Sequence, residues 1–191
     1  MDGHHEEEDV CHDTRIQFRQ IIMDIWTHRF KHHSIKEELL RLMEEEPPRE
    51  NRDKDNLVSD YWENNSEKKY INKFLQHIRE FTDDISDRYY AKDLHIIHAW
   101  HQIYTVTGSH GWHVHGGSNI SFVYYLHLEN PDDRTLFWNP ETRETFQPDA
   151  REGDIVIFPS HTLHTSPIIR TSKKKAIISG NMNLGEIFAP I

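Results

Sequence analysis

Apolar positions recur at two different periods along this chain, and the change falls near its middle. In RIQFRQIIMDIWTHRF, Phe18, Ile21, Ile22, Ile25 and Trp26 return at helical spacing. Asp13-Thr14 offers an N-cap before them. SIKEELLRLMEEE predicts a second helix, stopped by Pro47-Pro48. PPRENRDKDN is polar and reads as a loop. SEKKYINKFLQHIREFTDDI predicts a third helix, with Ile71, Phe74, Leu75, Ile78 and Phe81 on one face. None of these faces gathers polar chemistry. Residues 13–92 therefore read as a helical scaffold, preceded by a mobile tail over 1–12.

The second half carries seven of the eight glycines and short runs of β-branched and aromatic residues between turn signals. Strands are predicted near 95–106, 111–115, 119–128, 134–138, 154–158, 162–168 and 174–182. That spacing fits an antiparallel sandwich or barrel over residues 93–185. Helices first and strands afterwards place the helices on one outer face of the sheet, within a single domain of 191 residues.

Composition then removes several function classes. The net charge is -10, from 22 basic and 32 acidic residues, and the one basic run is Lys173-Lys174-Lys175. Nucleic acid is not an expected partner, because phosphate binding needs clustered Lys and Arg. Cys11 is the single cysteine, which excludes an internal disulfide and a cysteine-based zinc site. No apolar stretch reaches membrane-spanning length, so the expectation is a cytoplasmic protein that does not enter membranes. Histidine is the outlier, at 16 copies. His4, His5, His32 and His33 read as solvated, and the histidines beyond position 95 draw attention.

His113-Val114-His115 lies in a strand-like segment. Alternate strand residues face the same side, roughly 6–7 Å apart at Cα, so both imidazoles can reach one metal ion. A second feature is GDIVIFPSHTLH, where a turn at Gly153-Asp154 leads into an apolar strand, a proline and then His164. That arrangement returns a histidine 49 residues after His115 to the same end of a barrel.

At this point the sequence resembles a family. HVHGGSNISFVYYLHLENP, LFWNPETR, GDIVIFPSHTLH and KAIISGN follow the order and spacing of the 2-oxoglutarate and Fe(II)-dependent oxygenases. The branch is the prolyl-hydroxylase-like one, and specifically its small bacterial and marine-phage members. The resemblance spans about residues 96–183. It implies a double-stranded β-helix, in which two four-stranded sheets form a squashed barrel. It implies Fe(II) held by His113, His115 and His164, with 2-oxoglutarate as co-substrate and O2 as oxidant. The family's basic residue for the far carboxylate of 2-oxoglutarate falls on Lys175, and its tyrosine beside that carboxylate on Tyr125, with Tyr104 a second candidate. The implied reaction is hydroxylation of an unactivated C–H bond in a peptidyl or small-molecule substrate.

Two positions depart from the wider superfamily. His115 stands where a carboxylate ligand is usual, and two imidazoles with one carboxylate make the common Fe(II) facial triad. Lys175 stands for the commoner Arg and offers a point charge in place of a bidentate fork. Trp112 and Trp138 flank the expected mouth, His161 sits in the turn beside His164, and Asn181 ends the last strand, so all four are candidates to face substrate. Ser121 and Ser179 are small inward candidates, and His127 shares a predicted face with Tyr125. His101 and His110 precede the HxH at uneven spacing and rank below it. A cupin-like metalloenzyme (a dioxygenase, isomerase or lyase without 2-oxoglutarate) shares the barrel and the HxH pair, but Gly116-Gly117-Ser118-Asn119 lacks the glutamate expected there. A metal-dead barrel that only binds a ligand is the third reading.

Overall fold

The computed structural model describes residues 24–30, 34–48, 56–63, 67–170 and 174–188. The acidic tail and most of the first expected helix lie outside these residues. In chain order the described elements are β1 (Trp26–Arg29), α1 (Lys36–Glu45), β2 (Leu57–Ser59), α2 (Lys69–His77), α3 (Arg79–Arg88), β3 (Leu94–Tyr104), β4 (His110–His113), β5 (Ile120–Leu128), β6 (Leu136–Asn139), β7 (Glu144–Phe146), β8 (Asp154–Pro159), β9 (His164–Ser166) and β10 (Lys175–Leu184). They form a six-stranded sheet, β1-β8-β5-β10-β3-β2, and a four-stranded sheet, β4-β9-β6-β7. The pairings described are all antiparallel. Among the described residues no helix is long and apolar enough to cross a membrane.

The central strands of the larger sheet are buried on both faces, so alternation sorts their side chains into two cores. On β5, Ile120, Phe122, Tyr124 and Leu126 join Ile155, Ile157, Ala176, Ile178 and Met182 in a core against the helices. The helices answer with a stripe at i, i+3 and i, i+4 spacing: Ile35 at the N-terminal cap of α1 with Leu39 and Met43 on it, then Tyr70 and Phe74 of α2, Ile78 at the junction, and Phe81 and Ile85 of α3. Each fully buried large apolar side chain contributes roughly 1.5–3 kcal/mol. The alternate residues Val123, Tyr125, Val156, Phe158 and Ile177 meet Phe137 of the smaller sheet in a second core.

The N-terminal half differs from its periodicity in three places. Trp26–Arg29, expected in a helix, is an edge strand paired with Ile157 to Asp154 of β8. Trp26 and His28 pack on Phe81, and Arg29 donates to Asp154 at 2.8 and 3.0 Å. The alternation Trp26, His28, Phe30 satisfies a period of two as well as the helical pattern did, and sheet pairing decides between them. Leu57–Ser59 forms a short strand on the opposite edge, against Tyr104 to Gln102. The larger sheet therefore has six strands where four were expected. The third predicted helix is interrupted at Ile78, with α2 before it and α3 after it. In the β half, Glu144–Phe146 is a strand that turn-rich sequence concealed.

Candidate metal centre

The smaller sheet brings two of the three candidate histidines together by register. His113 of β4 lies directly opposite His164 of β9. His115 lies beyond the end of β4, where a strand over 111–115 was expected. Its amide donates to the Ser160 carbonyl at 2.8 Å, which extends the alignment past the last ladder pair. Gly117, with φ of +77°, turns the chain away immediately afterwards. A hydroxyl chain supports this corner: Ser118 and Ser121 each lie 2.8 Å from Ser160 Oγ, and Ser121 donates to Asn181 Oδ1 at 2.9 Å.

The ligating atoms of His113, His115 and His164 all lie within 4.8 Å of one another. The other ring nitrogens show which atoms face the centre. His113 Nδ1 is 2.7 Å from the Gly111 carbonyl and His164 Nδ1 is 2.8 Å from the Thr162 carbonyl. Donating Nδ1–H to a carbonyl leaves the Nε2 lone pair available, the support that metal-binding imidazoles receive. His115 Nε2 and His164 Nε2 approach to 3.3 Å. Two neutral imidazole lone pairs at that distance repel unless a proton or a cation lies between them. The donor set therefore fits a divalent metal ion.

Burial keeps these imidazoles neutral. It pushes His164 down to about 3 and His115 to about 4, and each is lowered further by neighbouring histidines. Phe137 and Phe158 pack on the His164 ring. Among the described residues no carboxylate joins the three-histidine cluster, so a divalent ion held by these three alone would keep its full charge of about +2 until an anionic ligand arrives.

Deeper between the sheets lies Lys175, fully buried. Its ammonium donates to Ser166 Oγ at 2.8 Å and sits 4.8 Å from the centre of the Tyr104 ring. Burial pulls its pKa down to about 7, and the more distant Asp133 offsets this only in part. Lys174, its neighbour, is exposed. A narrow cavity runs from the histidines past Ser166, Thr165 and Tyr104 to Ser179 and Ile177, two of the β10 residues that share the inward face with Lys175. Tyr104 lines this cavity, whereas the Tyr125 hydroxyl accepts the Thr135 amide at 2.9 Å and is not part of the wall.

Outward of the histidines is a cavity of about 220 Å³. Asn181 lines it, while Trp112, Trp138 and His161 do not. Trp112 is 47 % exposed on the outer face of β4, and His161 is exposed in its turn. Trp138 is half-buried, its amide bonded to the Leu163 carbonyl. His127 also leaves the interior: a bulge in β5 pairs Tyr125 with Ile177 but His127 with Ala176, which reverses its face. In place of these residues the wall holds Tyr61, Trp62, Trp100, Gln102 and His110. Trp100, Gln102 and Tyr104 alternate on β3, a signal available in the sequence. Tyr61 and Trp62 follow a three-residue strand and gave none.

No protein-family model matches the sequence, and no curated protein matches it either. Solved structures do match the fold. A Pseudomonas putida prolyl-4-hydroxylase aligns with a TM-score of 0.60 and 12 % identity over 85 % of this chain and 94 % of its own. The viral collagen prolyl hydroxylase of Paramecium bursaria chlorella virus-1, solved with 2-oxoglutarate, aligns at 0.58 and 13 % over 85 % and 96 %. HygX of Streptomyces hygroscopicus, solved with nickel and 2-oxoglutarate, aligns at 0.62 and 10 % over 85 % and 83 %. The chain has the double-stranded β-helix fold of the 2-oxoglutarate and Fe(II) oxygenases, as the sequence resemblance implied.

Proposed function

We propose that this chain is a non-haem Fe(II), 2-oxoglutarate-dependent oxygenase that hydroxylates an unactivated C–H bond of a peptidyl or small-molecule substrate. The observation that carries this reading is the convergence of His113, His115 and His164 on one point, with the buried ammonium of Lys175 held against Ser166 and Tyr104, two residues that line the adjoining cavity. Bound iron and 2-oxoglutarate would supply O2 reduction, with decarboxylation of the oxo acid to succinate.

The protein's own residues divide the remaining work. His113, His115 and His164 are the metal ligands, held by carbonyls and by the Ser160 corner. Lys175 pairs with the far carboxylate of 2-oxoglutarate, displacing its bond to Ser166, and Tyr104 closes the cavity beside it. Tyr125 supports that wall through Thr135. Phe137 and Phe158 exclude water behind His164. Of the residues expected to face substrate, Asn181 is positioned to do so.

The all-histidine donor set also suits a cupin-like enzyme that does not use 2-oxoglutarate. Lys175 argues against that alternative, because burial of its ammonium is only partly offset by Ser166 and the more distant Asp133, and an anionic co-substrate would complete the compensation. The experiment is aerobic incubation with Fe(II) and 2-oxoglutarate, following succinate by NMR. Succinate formation that needs both iron and O2 supports the oxygenase. Metal binding without any 2-oxoglutarate consumption favours the cupin-like enzyme, and no metal binding favours a ligand-binding barrel.

A further inference from the structure

The outer cavity has a consistent chemical character. His110, the candidate ligands His113 and His115, Val114 and Gly116 form its inner side, and the rest of its wall is Tyr61, Trp62 and Trp100 with the neutral hydrogen-bonding groups Ser59, Gln102 and Asn181. Among the described residues no carboxylate, lysine or arginine lines it. The rings form a connected series outward from the metal site. Trp100 lies 5.6 Å from the His115 ring, Tyr61 4.9 Å from Trp100 at 86°, and Trp62 4.9 Å from Tyr61 at 90°. Trp100 is buried, whereas Trp62 is 52 % exposed. A wall that changes from buried to exposed aromatic surface, and carries no charge, matches an uncharged ring whose remaining substituents extend into solvent.

The segment bearing Tyr61 and Trp62 is fastened by one carboxylate. Asp60 is 4 % exposed. Its Oδ1 accepts the His101 amide at 2.8 Å, and its Oδ2 accepts the Tyr70 hydroxyl at 2.6 Å and lies 3.1 Å from Lys68 Nζ. Lys68 also donates to the carbonyls of Asp60 and Ala99. Three elements, β2, α2 and β3, are thereby tied at the residue preceding Tyr61. A buried, multiply bonded carboxylate fixes position more tightly than an apolar contact, because its partners are directional.

We infer that Tyr61, Trp62 and Trp100 form a substrate subsite for an uncharged, flat ring, and that Asp60 is the positioning residue that holds its outer wall. The subsite rests on the oxygenase reading only for the role of the neighbouring metal. Without metal, free amino acids and organic acids are poor occupants, because among the described residues no carboxylate, lysine or arginine of the wall meets a carboxylate or an ammonium.

The test uses metal-free protein and three matched probes, benzamide, benzoate and benzylammonium, with binding followed by saturation-transfer NMR. Benzamide should bind best, and Tyr61→Ala or Trp62→Ala should weaken it about tenfold, the scale of one well-placed aromatic contact. Benzoate held at Lys175 is told apart because its binding survives Tyr61→Ala. Asp60→Asn should weaken benzamide while leaving Mn(II) affinity unchanged, and it should move the 5-fluorotryptophan resonance of Trp100 in the same direction as Tyr61→Ala. Should Asp60→Asn fail to fold, Tyr70→Phe removes one bond to the same carboxylate and should produce a smaller change of the same kind. The subsite is overturned by charged probes that match benzamide through Tyr61, or by benzamide binding that neither aromatic variant alters. The role of Asp60 is overturned by variants that bind benzamide normally. Adding Mn(II) then separates the two levels: broadening of the benzamide protons supports both, and bound benzamide without broadening upholds the subsite while counting against the oxygenase reading.

Discussion

The two faces of β10 have the same backbone, and from Lys175 to Met182 every residue is buried, yet they are made of different chemistry. Toward the helices point Ala176, Ile178 and Met182, all members of one apolar core. Between the sheets the alternate set is Lys175, Ile177, Ser179 and Asn181, with an ammonium, a hydroxyl and an amide among four side chains. Gly180 belongs to the helix-facing set, where the Phe122 ring leaves no room for a Cβ. Burying polar groups costs free energy that apolar residues at the same positions would not incur. The helix-facing side is explained by stability alone. The inward side is not: Ser179 lines the cavity that ends at the three histidines, Lys175 bonds to Ser166 in the wall of that cavity, and Asn181 lines the cavity outward of them.

The comparison breaks most visibly at the histidines. His164→Ala should abolish stoichiometric Mn(II) or Fe(II) binding in an anaerobic calorimetric titration. Ile178→Ala on the opposite face should cost about 2–5 kcal/mol in denaturant unfolding, as large-to-small core changes do, and leave metal stoichiometry intact. Metal loss in the Ile178 variant while it remains folded would show that the faces are not separable.

The next effect belongs to the two adjacent lysines. Removing one partner of a buried ionic contact costs about 3–5 kcal/mol, so Lys175→Met should weaken 2-oxoglutarate by roughly two to three orders of magnitude. Lys174→Ala, on an exposed side chain, should change it little. Equal losses in both would contradict the inward assignment.

That register was legible beforehand, and the reasons bear on the rest. Strands β3, β5, β8 and β10 carry strong alternation and turn signals, and strand register sets His113 opposite His164, while His115, past the end of β4, is placed by its bond to Ser160. What stayed hidden depends on contacts distant in sequence. Trp26–Arg29 satisfies two periodicities and is decided by pairing with β8. Tyr61 and Trp62 reach the cavity because Asp60 is tied to Tyr70 and His101, neither of which marks that role in its local sequence. The bulge that turns His127 away from the interior is a register shift without a sequence marker. Trp112 and Trp138 are close in sequence to the right segments, but they occupy positions the cavity does not use.

A smaller effect follows from pH. Burial leaves Lys175 with a pKa of about 7, and a bound carboxylate would raise it. Only the protonated amine attracts the anion, so affinity for 2-oxoglutarate should be full below pH 7 and fall as pH rises through it. The loss between pH 6 and pH 8 should be about tenfold. Calorimetry in buffers of different ionisation heat should register proton uptake on binding near pH 8. Affinity that is flat across this range would place the lysine's charge elsewhere.

A last effect, on stability and with its pH dependence confined to acid, concerns Asp60, a buried carboxylate bonded to Tyr70, His101 and Lys68. Burial pushes its carboxyl up, but the bonds and charges of His101, Tyr70 and Lys68 outweigh this and bring it from 3.8 to about 2. A depressed carboxyl contributes stability that is complete above pH 3.8 and is lost as pH falls through about 2. The contribution is roughly 2 kcal/mol at about 1.4 kcal/mol per pKa unit. Asp60→Asn should therefore be less stable than the parent near pH 6, and the gap should narrow in acid. A gap that is constant with pH would assign the loss to shape, with no contribution from charge.

The most direct measurement of the inward face as a working site is an anaerobic titration of the protein with Fe(II), then 2-oxoglutarate, followed by visible absorption. A weak metal-to-ligand charge-transfer band should grow to one equivalent of each, and be absent in His164→Ala. Stoichiometric Fe(II) binding with no band at any 2-oxoglutarate concentration would contradict the assignment of this site to an oxygenase.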